Sequence, residues 1–261
     1  MSQTVCSIDR IKHRIPAQKT VYVANHETAW SALHALTTKP AASVEAIRHD
    51  NSGMEFGAYQ AGADRLLRDL DPEWVLFAND TFATHHPFGK VHRNKLVLEL
   101  SRTLDFPAVI GQVVSLPRSY QIDGLRTHRW MTTNLFALNR AALHALDGKL
   151  RWPELDALVI ETCEVSKFFA PSLDLLLREH LEAWLFRAHQ GWHWYASAPL
   201  EKPNVLKMAH KARSILQEKY LAALLESMGT EFIDLNDLSV SQKMLRELER
   251  KYFVLTRKGA T

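Results

Sequence analysis

The stretch HDNSGMEFGAYQAG, His49 to Gly62, is the point from which the fold can be read. Before it, SVEAIRH carries β-branched and apolar residues in a short run and predicts a strand. After it, Phe56, Tyr59, Ala63, Leu66, Leu67 and Leu70 recur at helical spacing. Asp71-Pro72 stops that helix, because a residue preceding proline is driven out of the α region. EWVLFAND then reads as a strand covered on both faces. Working back toward the N-terminus, TVYVAN predicts a strand and TAWSALHALTT a helix. The order strand–helix–strand–helix–strand predicts an α/β fold, a mainly parallel sheet flanked by helices. Ligands of such sheets bind beyond the carboxyl ends of the strands. Asn25, Asp50-Asn51 and Asn79-Asp80 stand at three such ends, although Asn and Asp are also common wherever a strand gives way to a turn.

The 261 residues are 46% hydrophobic and 23% charged, which suits one large domain or two small ones. A chain of this size buries roughly 70–75% of its unfolded surface and needs no cross-links. Cys6 and Cys163 are far apart and match no zinc spacing, so the expectation is a reducing, cytoplasmic setting. The opening MSQTVCSIDRIKHRIP is polar and does not read as a secretory signal. No apolar run approaches the roughly 18 residues of a membrane span. A net charge of +3 is far from the basic stripe of a nucleic-acid binder, so no nucleic-acid partner is expected.

The second half is less regular. PAVIGQVVSL predicts a strand, WMTTNLFALNRAALHAL a strand entering a helix, and DALVIETC a further strand. Leu173, Leu176, Leu177, Leu181, Trp184, Leu185 and Ala188 form an amphipathic stripe that Gly191 would end. From about Asn204 onward the pattern is helical and charged. The predicted division is therefore 1–203 as the main domain, with halves at about 19–90 and 91–203, and 204–261 as a helical extension.

Two motifs carry candidate chemistry. A strand ending in Asp80 can offer a hard oxygen ligand to Mg²⁺ or Mn²⁺. Gly53 permits a positive φ, while Gly57 and Ala58 leave room at a helix start, where unpaired N–H groups suit a diphosphate. The turn is neither GxGxxG nor a Walker loop, and by itself also reads as a tight turn with close helix packing.

Taken together, Asn51-Ser-Gly53-Met-Glu55-Phe-Gly57-Ala58, a helix, and then Asn79-Asp80-Thr81 resemble bacterial GT-A-fold glycosyltransferases of cell-surface polysaccharide synthesis, including relatives of rhamnan-synthesis proteins. The likeness covers about residues 20 to 90, with N-D-T in place of the more usual D-x-D. It implies a GT-A-like fold and transfer of a sugar from a nucleotide-sugar donor to a polysaccharide or glycolipid acceptor. It also implies a divalent cation as cofactor. On this resemblance Asp80 holds the metal, and Asn25, Asn51, Gly53, Glu55, Gly57 and Asn79 bind the donor.

The segment REHLEAWLFRAHQGW resembles the family's base-bearing helix, with Glu179 and Gly191 at matching spacing and His180 where a second carboxylate is usual. Glu179, His180 and Asp174 all remain candidates for the base, and a base on this helix favours inversion. His86, His128, Trp130 and Trp192 are candidate acceptor contacts. Trp130 also reads as core, the Trp192 segment as an edge strand, and His86 as a loop residue. His210 is a candidate late metal ligand or a surface helix residue.

LRELERKYFVLTRKG is amphipathic and basic, which fits either peripheral membrane association at the inner face of the cytoplasmic membrane or an ordinary closing helix. Missing second acids at both motifs keep open an inactive glycan- or partner-binding module. A nucleotidyltransferase would want a basic Gly-rich loop after the first strand, which VANHETAW does not supply.

Overall fold

The computed structural model describes residues 8, 10–14, 17–37, 43–82, 88–186 and 194–258. The predicted alternation over the first 80 residues is present: β1 (Thr20–Ala24), α1 (Glu27–Thr37), β2 (Val44–Arg48), α2 (Met54–Leu67) and β3 (Trp74–Ala78). β1 and β2 pair in parallel, from Thr20 opposite Val44 to Ala24 opposite Arg48. Asn25 and Asn79-Asp80 follow β1 and β3 directly, and Asp50-Asn51 follows β2 after His49.

The sheet is less parallel than the alternation predicts. β3 does not extend the β1–β2 ladder but pairs antiparallel with β5 (Leu125–Asn139), Ala78 opposite Leu135. β5 in turn forms a long antiparallel hairpin with β4 (Ala108–Ile122). The hairpin closes through Asp123 and Gly124, with φ of 49° and 77°. Two consecutive positive φ values match the twist of paired strands, and Asp-Gly tolerates them. β6 (Glu231–Asp234) adds in parallel to β4, giving the order β3-β5-β4-β6 beside the separate β1–β2 pair.

Two further expectations are corrected. Residues 156–163 form no strand: Pro153–Leu158 is a 3₁₀ helix, and Val159 makes a single bridge to Phe169. Pro153 opens that helix with a fixed φ and no N–H to give to a ladder. The segment after 203 is not an appended helical extension. Its helix α7 (Val205–Ser227) puts Leu221 and Leu225 into the same core as Phe56, Val75 and Phe136, and β6 belongs to the main sheet.

Alternation along β5 explains the layers. Phe136 and Leu138 face a core built with Phe56, Tyr59 and Ala63 of α2 and Val75 and Phe77 of β3. Leu135 and Ala137 face the opposite core, with Ile110, Ile233 and Leu96 of α3 (Lys90–Leu100). β3 is therefore covered on both sides, as its continuous apolar run predicts. A third core joins Tyr120 and Ile122 at the hairpin end to α6 (Leu175–Phe186), α7 and the Phe168–Phe169 pair, the first of these in the short helix α5 (Val165–Phe168). Burying each of these aliphatic or aromatic side chains contributes about 1.5–3 kcal/mol.

Asn139 ties the layers together. It is fully buried, and its Oδ1 accepts from Ala142 N, capping α4 (Arg140–Ala145), and from Ala108 N at the start of β4. Its Nδ2 donates to the Phe106 carbonyl. Among the described residues no helix is long and apolar enough to cross a membrane.

Candidate functional site

The turn before α2 is shaped by three left-handed residues. Asn51, Gly53 and Met54 have φ of 65°, 69° and 51°. For Met, such a φ is an outlier and costs of order 1–3 kcal/mol, so its surroundings must hold it. Asp50 Oδ1 accepts from Ser52 N at 2.8 Å, and His49 Nδ1 accepts from Asn51 N at 3.1 Å. The Asn51 carbonyl accepts from Met54 N at 3.0 Å. Gly53 is favoured by its left-handed φ and Gly57 by space. A Cβ on Gly53 would meet the Arg151 side chain at 1.8 Å, and one on Gly57 would meet the Ser52 carbonyl oxygen at 1.8 Å.

This turn delivers Glu55 to the end of β3. Asn79 Oδ1 accepts from Thr81 N and Oγ1 at 3.0 and 2.6 Å, folding the chain sharply after the strand, and its side chain also hydrogen-bonds the Glu55 carboxyl. Tyr59, one turn after Glu55, donates from its hydroxyl to the Thr133 carbonyl at 2.6 Å. Asp80 follows Asn79 and is exposed. Burial raises the Glu55 pKa above the ordinary carboxyl range. Lys211 opposes that shift, Glu218 and Asp80 add to it, and the Asn79 hydrogen bond lowers it again. A carboxyl of raised pKa therefore lies within electrostatic reach of two other carboxylates and one ammonium.

Sequence reasoning missed half of this group. Lys211, Ser214 and Glu218 come from α7, three and four residues apart, and so share one face. Ser214 Oγ meets Met54 Sδ at 3.8 Å, and Glu218 Oε2 accepts from Thr133 N and Oγ1, each at 2.9 Å. A polar stripe inside an otherwise buried helix is the signal that could have found them. Arg151 was missed as well: Nη2 binds Asp156 at 2.9 Å, while its buried Nε has no partner among the described residues. The buried Oδ1 of Asn25, at the end of β1, is equally unpartnered. One donor and one acceptor thus stand unsatisfied beside the turn, which is costly unless a ligand or water completes them.

Asn25, Asn51, Gly53, Glu55, Gly57, Asn79 and Asp80 all lie at these strand ends. The base candidates lie on or beside α6. Asp174 Oδ1 accepts from Leu177 N at 3.0 Å and serves as an N-terminal cap. Glu179 is exposed, and the His180 ring lies 5.7 Å from that of Trp130. Trp130 is buried, its ring against Lys219 and His180, so it presents no stacking surface to a sugar. Burial holds the Lys219 amine well below its ordinary pKa, against the opposing pull of Glu218. His128 and His210 are exposed, while His86 and Trp192 lie outside the described residues.

Among the described residues no three His, Cys, Asp or Glu side chains are grouped to hold a metal by themselves. Asp80 suits the other mode, in which one carboxylate shares a divalent cation with the phosphates of a ligand. Lys211 carries positive charge within electrostatic reach of Glu55, and the Arg151 guanidinium stands against Gly53. No protein-family model, no curated protein and no solved structure matches the chain.

Proposed function

We propose that this chain is a GT-A-like glycosyltransferase that moves a sugar from a nucleotide-sugar donor to a polysaccharide or glycolipid acceptor in bacterial surface polysaccharide synthesis. The observation that carries the reading is the convergence of Glu55 from the glycine turn with Asn79-Asp80 from β3, beside the unpartnered Asn25 Oδ1 and Arg151 Nε. Asp80 would hold a divalent cation, which neutralises charge on the departing diphosphate. Lys211 and Arg151 bind and orient that diphosphate. Glu55, whose pKa is raised mainly by burial, would repel donor oxygens less than an ordinary carboxylate does.

An acceptor hydroxyl must lose a proton as it attacks. Asp174 is committed to capping its helix, so Glu179 and His180 are the better candidates to take it. A base on that helix favours inversion.

The reading is tested by thermal denaturation with UDP, GDP and dTDP, in Mn²⁺ and in EDTA. At a hundredfold excess over Kd, binding stabilises by about 2.7 kcal/mol, roughly 5–10 °C for a chain of this size. The rise should need the metal and disappear in Asp80→Asn, measured against that variant's own ligand-free melting temperature. No nucleotide response at saturation sinks the proposal. Binding without donor hydrolysis, unaffected by Glu179→Gln, would instead mark an inactive binding module.

A further inference from the structure

Helix α8 (Val240–Lys258) turns its polar side toward the protein. The Glu249 carboxylate lies 2.0 Å from where a Cβ on Gly89 would stand, and 3.5 Å from Val91 N, at the start of α3. Arg246 and Glu249 also act electrostatically on the buried His92 of α3. Of the described side chains, Val240, Met244, Leu245 and Leu248 face outward, 76, 67, 54 and 62% exposed. Their spacing of four, five and eight residues makes one stripe along the helix.

The charge around the stripe is positive. Lys243 and Lys251 are exposed on this helix, whereas Arg246 and Arg250 are engaged by Glu247. Nearby, on the same α3 that α8 packs against, Arg93 joins Arg10, His13 and Arg14 of the first described turn. Among the described residues these four side chains line a cavity of about 300 Å³.

We propose that the outward stripe of α8 and this four-base cavity form a docking face for an anionic lipid bilayer. The helix lies in the interfacial plane with its four apolar side chains in the acyl boundary. The cavity takes a lipid phosphate, and each base near the surface strengthens the attraction. A second copy of the chain fits less well, since a two-fold contact through α8 would set Lys243 and Lys251 against their own equivalents. A protein that buried only the stripe would leave the cavity without a role. The inference stands apart from glycosyl transfer, because vesicle binding and nucleotide binding are measured independently.

Flotation of the full chain tests it, with vesicles of phosphatidylcholine alone or with about 30% phosphatidylserine. The expected result is partition into the anionic vesicles, weakened by salt, and little into the neutral ones. Leu245→Ser with Leu248→Ser should lower partition by more than about tenfold. Arg10→Gln, Arg14→Gln and Arg93→Gln together should lower it by at least about tenfold and flatten the salt dependence. These side chains are exposed or lie at a cavity wall, and unchanged melting temperatures will confirm that the variants fold. Absence of anionic-vesicle binding by the unaltered chain overturns the proposal. So does equal binding to neutral vesicles that the arginine variant leaves intact. A concentration-dependent dimer dispersed by the leucine variant, with no vesicle binding, would assign the stripe to a second copy instead.

Discussion

Replacing Gly57 by Ala should destabilise the protein, against the ordinary rule for helices. In a helix interior Gly→Ala contributes about 1 kcal/mol of stability. Here the added Cβ would stand 1.8 Å from the Ser52 carbonyl oxygen and 2.9 Å from His49 Cε1. The oxygen belongs to the backbone and must retreat by more than about 1 Å, in an exposed turn whose hydrogen bonds hold it in place. Its turn is pinned by the Asp50–Ser52 and His49–Asn51 hydrogen bonds and by the Asn51–Met54 bond. Losing two of these costs about 2 kcal/mol, and the residual overlap about 1–3 kcal/mol more. Set against the helix gain, the net loss is about 2–4 kcal/mol. Gly62, in the same helix, is the control: its Cβ would meet only Val23 Cγ2, at 3.2 Å, and a small shift accommodates it. Gly62→Ala should therefore lie within about 0.5 kcal/mol of the parent, gain and crowding nearly cancelling. Urea midpoints for the two variants decide the matter. If Gly57→Ala is as stable as Gly62→Ala, the turn does not lie on the helix as described.

Three further outcomes are expected. Glu55→Gln should raise stability increasingly with pH. The folded protein holds the Glu55 proton above the unfolded value of 4.5, so ionisation above that value costs the parent stability that the amide retains. Melting curves from pH 4 to 8 that show no growing advantage would contradict the burial of that carboxyl. Lys219→Met has the opposite pH sense. The parent loses stability as pH falls from the ordinary lysine value of 10.5 toward the depressed folded one, so the variant's advantage should widen toward neutral pH and vanish in strong alkali. Asn139→Ala removes a helix cap and strands the Ala108 N–H and Phe106 carbonyl, for a loss of about 3–5 kcal/mol; a loss under about 1 kcal/mol in urea titration would show that the site relaxes.

Local chemistry was enough to read β1, α1, β2, α2 and β3, because period and punctuation are properties of neighbours along the chain. Phe56, Tyr59 and Ala63 recur at one helical face, and Asn25, Asp50 and Asn79 stand where their strands stop. The need for glycine at 53 and 57 was also legible, although what stands against them was not: Arg151 and the Ser52 carbonyl arrive from folding. Sheet order escaped for a similar reason. Asp123-Gly124 is a short-range hairpin signal that was available, but the insertion of β5 between β3 and β4 depends on which faces bury together. Residues 231–234 are too short and too charged at their ends to announce a strand, and pair with β4 only because α7 carries them back to its edge.

Periodicity put Asp80 at a strand end and Glu55 near a helix start, and only the resemblance paired them. Only the tertiary structure brought Lys211 and Glu218 to Glu55, from more than half the chain away, and Arg151 against Gly53. A charge's surroundings are set by what packs on it, so the raised Glu55 pKa and the outward apolar side of α8 belong to the fold and not to the sequence pattern.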